Sequence, residues 1–451
     1  MTTDIAISFV HDATIDDFSE KAREHLQRRV LDTLAATTAG FQMPTTEIVR
    51  TYATDHHAGD AATLLSGDGG SLSEQGAVLV NATAANALDV DDGHREVKGH
   101  PAAVVVPPAL AAAEITDATV GEFLTAVGVG YELAVRAGLA IHETDDVYTG
   151  TGSWGAVGAA AAVTRLRGLD RETTAAALGT AEYHAPRTPI MRGVENPGMT
   201  KDGIGWGAYA GTAAVDLAEA GFTASGTVFD ETDVDATDDL GDRFYLTTGY
   251  LKPYPCCRWA QPGVDAVLAL RETHGFDLKS VETLRVHTFE AATHLRTRRP
   301  GTAEAAEYSY PYPVAAALVC GEFTPAELAA VRREDSTILA LADRVELVVD
   351  PGLEERFPDE CLARVELLTS DGRTLTSDVT RARGAREHPL SDTELRAKAA
   401  DLFEPSVPPG TVGRVEAELD SPAATVERLL DPWRADCGQT DTEKATDHRG
   451  V

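Results

Sequence analysis

The sequence is poor in lysine and cysteine and has no long hydrophobic run. Only seven of its 39 basic residues are lysines. Five cysteines in 451 residues are too few for a disulfide scaffold, and no two have the CxxC spacing of zinc or iron–sulfur sites. The chain contains no uninterrupted apolar stretch of about 18 residues, so no membrane span is predicted. The first residues also lack the pattern of a secretory signal. We therefore expect a soluble, cytoplasmic protein.

Positive charge is also scarce. The chain carries 39 Lys and Arg against 72 Asp and Glu, a net charge of −33. A surface this negative repels nucleic acid and anionic membranes, so neither is an expected partner. Dissolved salt screens the self-repulsion of such a surface. The composition therefore predicts a protein adapted to concentrated salt, as in a halophile.

Changes in sequence pattern divide the chain. Residues 1–249 carry apolar positions at helical spacing and many Ala and Gly, which predicts closely packed helices. Short alternating runs interleaved with helices predict a smaller α+β domain over 250–390. Residues 391–436 return to a helical pattern, and the polar residues 437–451 are expected to be disordered. The predicted fold is mainly α: an all-helical core domain with an α+β second domain.

The α+β domain carries specific strand signals. Asp371-Gly372, between two short alternating runs, predicts a β-hairpin. Two further β-branched runs predict strands at 283–289 and 344–350. Ser391 and Glu394 form a capping box that predicts the start of the next helix.

The densest polar cluster runs from Asp89 to Pro101, between two apolar helical segments. It contains carboxylates, a lysine and the imidazoles of His94 and His100. A histidine paired with an aspartate makes a general base that is tunable near neutral pH. A solvent-exposed turn with helix caps is the alternative. The cluster lacks the fixed ligand spacing of a metal site, and we predict no metal.

Two further clusters supply cations. Lys201 stands in a Gly-rich stretch at the entry of a helical segment, where an ammonium and free backbone N–H groups form an anion site. A surface lysine is the alternative. Lys252 and Arg258 lie in a proline-stiffened segment where the two sequence patterns meet, and both suit carboxylates.

A dinucleotide-binding motif is not supported. Gly150, Gly152 and Gly155 match GxGxxG, but no strand pattern precedes them. We read this stretch as part of a packed helix and predict no cofactor from it.

At the three clusters the sequence resembles the MmgE/PrpD family, which includes 2-methylcitrate dehydratase, cis-aconitate decarboxylase and iminodisuccinate epimerase. The matching motifs are 86–92 with His100-Pro101, 199–201 with Gly207, and 252–258. The resemblance implies a helical domain built from both chain ends and a smaller lid domain. It also implies a homodimer and catalysis without a metal or organic cofactor.

The resemblance places Asp89, His100, Lys201 and Lys252 on active-site positions. From it we expect a di- or tricarboxylate substrate that loses a proton α to a carboxylate. His100 is predicted to transfer the proton, oriented by Asp89. One lysine would stabilise the enolate-like charge, and the other would anchor a remote carboxylate. Further predicted substrate-binding residues are Arg258, Asp92 and Arg192.

Three positions depart from the pattern of the decarboxylase. Gly93 replaces a threonine, Thr149 or Gly150 replaces a second histidine, and Gln261 replaces a third. These departures argue against cis-aconitate decarboxylation and weaken assignment to 2-methylcitrate dehydratase itself. The predicted function is a dehydratase-like lyase. The alternatives are an epimerase of a substituted succinate and a carboxylate-binding homologue without activity.

Overall fold

A computed structural model describes residues 2–231 and 236–434. The predicted disorder of 437–451 concerns residues outside these ranges. The helical half contains ten α-helices and a two-stranded ribbon. The helices are α1 (Thr2–Asp12), α2 (Glu20–Gly40), α3 (Pro44–His56), α4 (Glu74–Ala87), α5 (Pro101–Ile115), α6 (Val120–Thr144), α7 (Thr151–Leu166), α8 (Arg171–His184), α9 (Ile190–Glu195) and α10 (Ile204–Glu219), with β1 (Ala62–Thr63) and β2 (Ser71–Leu72) as the ribbon.

Small residues let the central helices pack closely, as the composition predicted. A Cβ on Gly130 of α6 would lie 2.7 Å from the carbonyl oxygen of Gly158 on α7. On α10, a Cβ at Gly211 would lie 2.5 Å from the carbonyl oxygen of Ala156. Larger side chains at these positions would force the helices apart, because packed interiors hold no spare volume.

Helix α6 is the centre of this half. Its N-terminus is held by a capping box between Thr119 and Glu122. Among the described residues it is the one helix long and apolar enough to cross a membrane, yet 89% of its most apolar window is buried in the protein. This enclosure is typical of the core helix of a soluble protein.

The α+β part begins after α10. Its helices are α11 (Gln261–Thr273), α12 (Ala303–Glu307), α13 (Pro311–Cys320), α14 (Ala330–Arg333), α15 (Ser336–Ala342) and α16 (Pro351–Glu354). Its strands are β3 (Val281–Thr288), β4 (Val345–Val349), β5 (Leu362–Thr369), β6 (Thr374–Thr376) and β7 (Thr380–Arg381). A helical core with an α+β second domain is therefore the observed fold class, as predicted.

The sheet has the order β4-β3-β5-β6, and β7 also pairs with β5. Strands β3 and β4 run parallel, whereas β5 is antiparallel to both β3 and β6. The predicted strands and hairpin are confirmed. Gly372 adopts φ +84° in the tight turn between β5 and β6, a conformation that glycine accepts without strain.

The last described helices return to the helical half. They are α17 (Asp392–Phe403), α18 (Thr411–Leu419) and α19 (Val426–Arg434). The predicted capping box of Ser391 and Glu394 opens α17. Lys398 on α17 lies 2.5 Å from the buried Asp32 carboxylate on α2, and it also donates a hydrogen bond of 2.7 Å to the carbonyl of Val90. Helix α17 thereby supports the polar loop between α4 and α5.

Candidate active site

Most of the polar loop between α4 and α5 is buried, with only Glu96 and Lys98 exposed, so the exposed-turn alternative is wrong. Asp89, Asp91 and Asp92 are each at most 1% exposed. Asp89 adopts φ +51°, which turns the chain sharply after α4. His100 is the N-cap residue of α5, and Pro101 occupies the first turn, where a missing N–H costs nothing. A polar loop whose backbone is held in one buried conformation is typical of a functional site.

His100 is held through one ring nitrogen. Its Nδ1 donates a hydrogen bond of 2.8 Å to the backbone carbonyl of Asp92 and lies 3.0 Å from Oδ2 of Asp91. Both neighbours are acceptors, so Nδ1 carries a proton and Nε2 is the atom free for proton transfer. Burial by itself would lower the pKa of His100, but the neighbouring carboxylates, Asp91 first and then Asp202, outweigh burial and raise the pKa to about 9. The imidazole is therefore charged at neutral pH.

Asp89 lies near His100, the partner that the sequence suggested, but it is closer to Lys252. Its Oδ1 lies 2.9 Å from Nζ of Lys252 but 3.6 Å from Nε2 of His100. Lys252 is 1% exposed, and its ammonium also donates to the Asp89 carbonyl at 3.0 Å. Burial opposes the charge of Lys252, yet Asp89 and Asp91 raise its pKa above the ordinary value. Asp91, which the sequence did not single out, is the aspartate on the Nδ1 side of His100.

Arg258 is a buried cation with neutral partners. Its guanidinium donates to the backbone carbonyls of Arg383 at 2.7 Å and Ala382 at 3.1 Å, and to Oε1 of Gln261 at 3.0 Å. Its Cζ lies 4.4 Å from the centre of the Tyr250 ring. Within the described part of the chain, no carboxylate oxygen lies within 4.0 Å of it. An uncompensated guanidinium of this kind attracts an anionic ligand.

Lys201 stands just before α10, as predicted, but its ammonium contacts carbonyl and carboxylate oxygens rather than the backbone N–H groups of that helix. Its ammonium lies 2.7 Å from Oε2 of Glu307 and donates to the carbonyls of Asn86 and Ala87 at the end of α4. The backbone adopts φ +40° at Lys201, which turns the side chain back. Carbonyls at a helix C-terminus and a buried carboxylate both attract a cation. Burial lowers the pKa of Lys201, and the Glu307 charge more than restores it.

Two predicted substrate-binding residues lie outside the cleft described next. Asp92 is fully buried; its Oδ1 accepts a 3.0 Å hydrogen bond from the N–H of Ala102, and its Oδ2 lies 3.6 Å from Nε of Arg29. Burial raises the pKa of Asp92 to about 7. Its position suits a helix cap and a buried ion pair. Arg192 is exposed on α9 and borders a different surface depression, together with Lys201.

Asp89, His100, Lys252 and Arg258 line one cleft between the helical half and the α+β part. We call it the acid–base cleft. Residues that the sequence analysis did not select complete its wall. They are Arg95, Lys98, Tyr148, Ile190, Val194, Asp202, Tyr250, Cys257, Trp259, Tyr308, Phe357, Pro358 and Cys361. The last three lie far along the chain from Lys252 and Arg258, so no local sequence signal could have assigned them to this cleft.

The three departures from the family pattern have local explanations. A Cβ on Gly93 would overlap the ring of Tyr250, which occupies the space that a threonine would need. Thr149 is buried, and its carbonyl accepts a hydrogen bond of 3.0 Å from His142. Gln261 accepts from Arg258 and donates to two backbone carbonyls, so it positions the guanidinium. None of these three residues lines the acid–base cleft.

Asp89, Asp91 and His100 also offer a possible metal ligand set, since one ligand atom from each lies within 4.8 Å of the others. One observation opposes this use. The ammonium of Lys252 already lies 2.9 Å from Asp89, where a metal cation would have to bind. The positive charge that a metal would bring is thus supplied by side chains.

The fold and cleft define a helical protein with a buried acid–base site at its junction with an α+β domain. Models of the MmgE/PrpD N-terminal domain and C-terminal domain match residues 4–234 and 254–420. The chain therefore belongs to the MmgE/PrpD family. This confirms the resemblance read from the motifs.

Curated relatives cover nearly the whole chain at low identity. A cis-aconitate decarboxylase-like protein, oryM, from Aspergillus oryzae is 24% identical over 92% of this chain and 93% of its own length. A cis-aconitate decarboxylase from Aspergillus terreus is 25% identical over 92% of this chain and 91% of its own length.

Proposed function

We propose that this protein is a hydro-lyase, similar to 2-methylcitrate dehydratase, that acts on a small hydroxy di- or tricarboxylate without a cofactor. One observation carries the proposal. A charged His100 faces the same buried cleft as the two cations Lys252 and Arg258. Elimination of water from a hydroxy acid requires a proton donor for the departing hydroxyl and positive charge beside the carboxylate at which negative charge develops.

In this proposal, Arg258 and Lys252 orient the substrate by binding its negative charges. Arg258 has no carboxylate partner among the described residues, so it binds a substrate carboxylate as a bidentate or end-on pair. Lys252 lies deeper, beside Asp89. Its ammonium stabilises the second negative charge that forms when the carbon α to a carboxylate loses its proton.

His100 acts as the acid in this elimination. A base in the cleft takes the α-proton, the C–H electron pair becomes the C=C bond, and the C–O bond breaks with its electrons on oxygen. The departing hydroxyl takes the proton from Nε2 of His100 and leaves as water. The sequence suggested a general base, but the Asp91 contact favours the protonated imidazole, and this supports the role of an acid.

The comparisons support the lyase class more strongly than the substrate. Relatives over the full length carry names that denote decarboxylation of cis-aconitate, a tricarboxylate lyase reaction. At 24–25% identity this supports carboxylate chemistry but not the bond that breaks. Gly93 stands where the decarboxylase has a threonine, and the Tyr250 ring fills the space of the missing side chain. This difference favours a reaction other than that decarboxylation.

Two other functions use the same cleft. An epimerase would remove the α-proton and return one to the opposite face, so His100 would reprotonate carbon rather than oxygen. A homologue without activity would bind carboxylates at Arg258 and leave them unchanged. The presence of a charged His100 beside the anion-binding groups favours catalysis over binding alone.

Proton NMR in D₂O distinguishes these functions. The protein is incubated in high-salt buffer with 2-methylcitrate, citrate, cis-aconitate and substituted succinates. The proposal predicts loss of water and an alkene signal from one hydroxy acid, and His100→Gln should reduce the rate at least about a hundredfold. Deuterium at the α-carbon without an alkene would indicate the epimerase. Carbon dioxide release from cis-aconitate would indicate the decarboxylase, and binding without turnover of any compound would overturn catalysis.

A further inference from the structure

Asp202 is a buried carboxylate in the acid–base cleft that the mechanism above does not use. It is 2% exposed and directly precedes the turn into α10. Its Oδ2 lies 3.9 Å from Nε2 of His100, the ring nitrogen assigned to proton transfer. The side chain also lines the cleft, so a bound substrate would meet it.

Its partners set Asp202 apart from the other buried acids of the site. Asp89 and Glu307 each lie within 3.0 Å of a lysine ammonium. Asp202 instead accepts a hydrogen bond of 3.1 Å from the hydroxyl of Thr151, with the hydroxyl of Tyr308 at 3.5 Å. Across the described residues, no lysine or arginine nitrogen lies within 4.0 Å of its carboxylate. Its hydrogen bonds come from neutral groups, which leave a carboxylate more basic than an ion pair does.

Thr151 fixes Asp202 and His100 relative to each other. Its hydroxyl oxygen accepts a 2.9 Å hydrogen bond from the backbone N–H of His100 while it donates to Asp202. Thr151 opens α7 and His100 caps α5, so two helix termini hold the pair in place. Rigid helical elements position catalytic groups more accurately than loops do.

We infer that Asp202 is a second catalytic residue, the base that takes the α-proton of the substrate while His100 protonates the departing hydroxyl. This inference rests on the proposed elimination and assigns the half of it that His100 cannot perform. The α-proton moves to Oδ2, the C–H electron pair forms the alkene, and water leaves with the proton of Nε2. After product release, the proton on Oδ2 passes across the 3.9 Å gap to Nε2 and restores both groups.

The charges around Asp202 agree with this role. Burial raises its pKa above the ordinary value, the charges of His100 and Lys252 oppose that rise, and Asp89 adds to it. A carboxylate with a raised pKa accepts a proton more readily than a surface carboxylate.

The test compares Asp202→Asn, His100→Gln and wild type in D₂O with the substrate that wild type dehydrates. Asn keeps the shape of the side chain and can still accept a hydrogen bond from Thr151. In Asp202→Asn, both α-deuterium exchange and alkene formation should fall at least about a hundredfold. In His100→Gln, alkene formation should fall while α-exchange continues. Asp401→Asn removes a carboxylate from an exposed position of α17 and should change neither rate.

A second measurement needs no substrate. Protein labelled with ¹³C at histidine is titrated by NMR, and His100→Gln identifies the His100 signal. Asp202→Asn should move the His100 midpoint to lower pH, because it removes a negative charge near Nε2. Asp202→Glu keeps a carboxylate at this position. It should restore part of the α-deuterium exchange into substrate that Asp202→Asn loses, which would show that the loss in Asp202→Asn is not a folding defect.

The outcomes separate this inference from the function it rests on. Dehydration by Asp202→Asn within about tenfold of wild type, or an unmoved His100 midpoint, would overturn the role of Asp202. If wild type dehydrates none of the hydroxy acids, the elimination fails together with the role of Asp202 in it. A shifted His100 midpoint in Asp202→Asn would then show only that the charge of Asp202 acts on His100.

Discussion

Oδ2 of Asp91 lies 3.0 Å from Nδ1 of His100, inside a loop that water barely reaches. Asn86 donates a 3.0 Å hydrogen bond to the other oxygen of Asp91, which fixes the carboxylate in place. Burial opposes the charge of Asp91, but the neighbouring His100 lowers its pKa to about 2. The two residues thus hold each other in their charged forms, which makes His100 an acid at neutral pH.

Asp91→Asn should weaken this acid. Without the carboxylate the imidazole loses its charged neighbour, and the pKa of His100 should fall by about one to three pH units. We expect the high-pH limb of the kcat profile to move down by the same amount and the rate at pH 8 to fall. An unchanged limb would mean that Asp91 does not set the protonation of His100.

The wild-type pH profile follows from the same contact. Because the pKa of His100 is raised from its ordinary 6.5 to about 9, its acid form persists through neutral pH and is lost as pH rises through about 9. The stabilisation from charged His100 is complete below 6.5 and disappears over that same interval. Activity should therefore decline above pH 9. A profile in which activity instead rises as pH increases through about 9 would identify neutral His100 as the working form.

Substitutions of Arg258 and Arg192 should affect substrate binding differently. Arg258→Gln should raise KM about tenfold to a hundredfold, since a hydrogen bond to a charged group contributes about 1.5–3 kcal/mol. Arg192→Gln should change KM little, because Arg192 lies exposed outside the acid–base cleft. Steady-state kinetics on both variants decide between them. A large KM effect only at Arg192 would place the anion site in the neighbouring depression.

Lys201 should matter first for stability. Lys201→Met leaves Glu307 buried without its cation and should cost about 3 kcal/mol or more of unfolding free energy. Burial raises the pKa of Glu307, and Lys201 is the main group that opposes this rise. The double variant with Glu307→Leu should recover much of the loss in a denaturant titration. If this stable double variant has lost all activity, Lys201 also serves the reaction.

Salt should stabilise the fold. With a net charge of −33, like charges repel across the surface, and raising NaCl from about 0.15 M to about 1 M shortens the screening length from about 8 Å to about 3 Å. We expect the midpoint of thermal unfolding to rise over this range, equally with KCl. A midpoint that does not depend on salt would contradict adaptation to concentrated salt.

Much of the fold was predictable because it depends on local patterns. Helical periodicity, the Asp371-Gly372 turn and the capping box at Ser391 are read within a few residues, and each appears where it was expected. The cluster 89–101 and the cations at 252 and 258 were selected because charged residues between apolar segments are unusual. For these features, the residues that lie next to each other in the sequence are sufficient evidence.

The amino-acid sequence by itself therefore determined the helical and α+β parts and brought His100, Lys252 and Arg258 to attention. Only the tertiary structure decided which charges pair. Asp89 and Asp91 are two residues apart, yet one contacts Lys252 and the other His100, because the backbone turns through φ +51° at Asp89. The same dependence on backbone direction turns Lys201 towards Glu307 and brings Asp202 to His100. Pair distances of this kind are set by packing between distant segments, which no local pattern encodes.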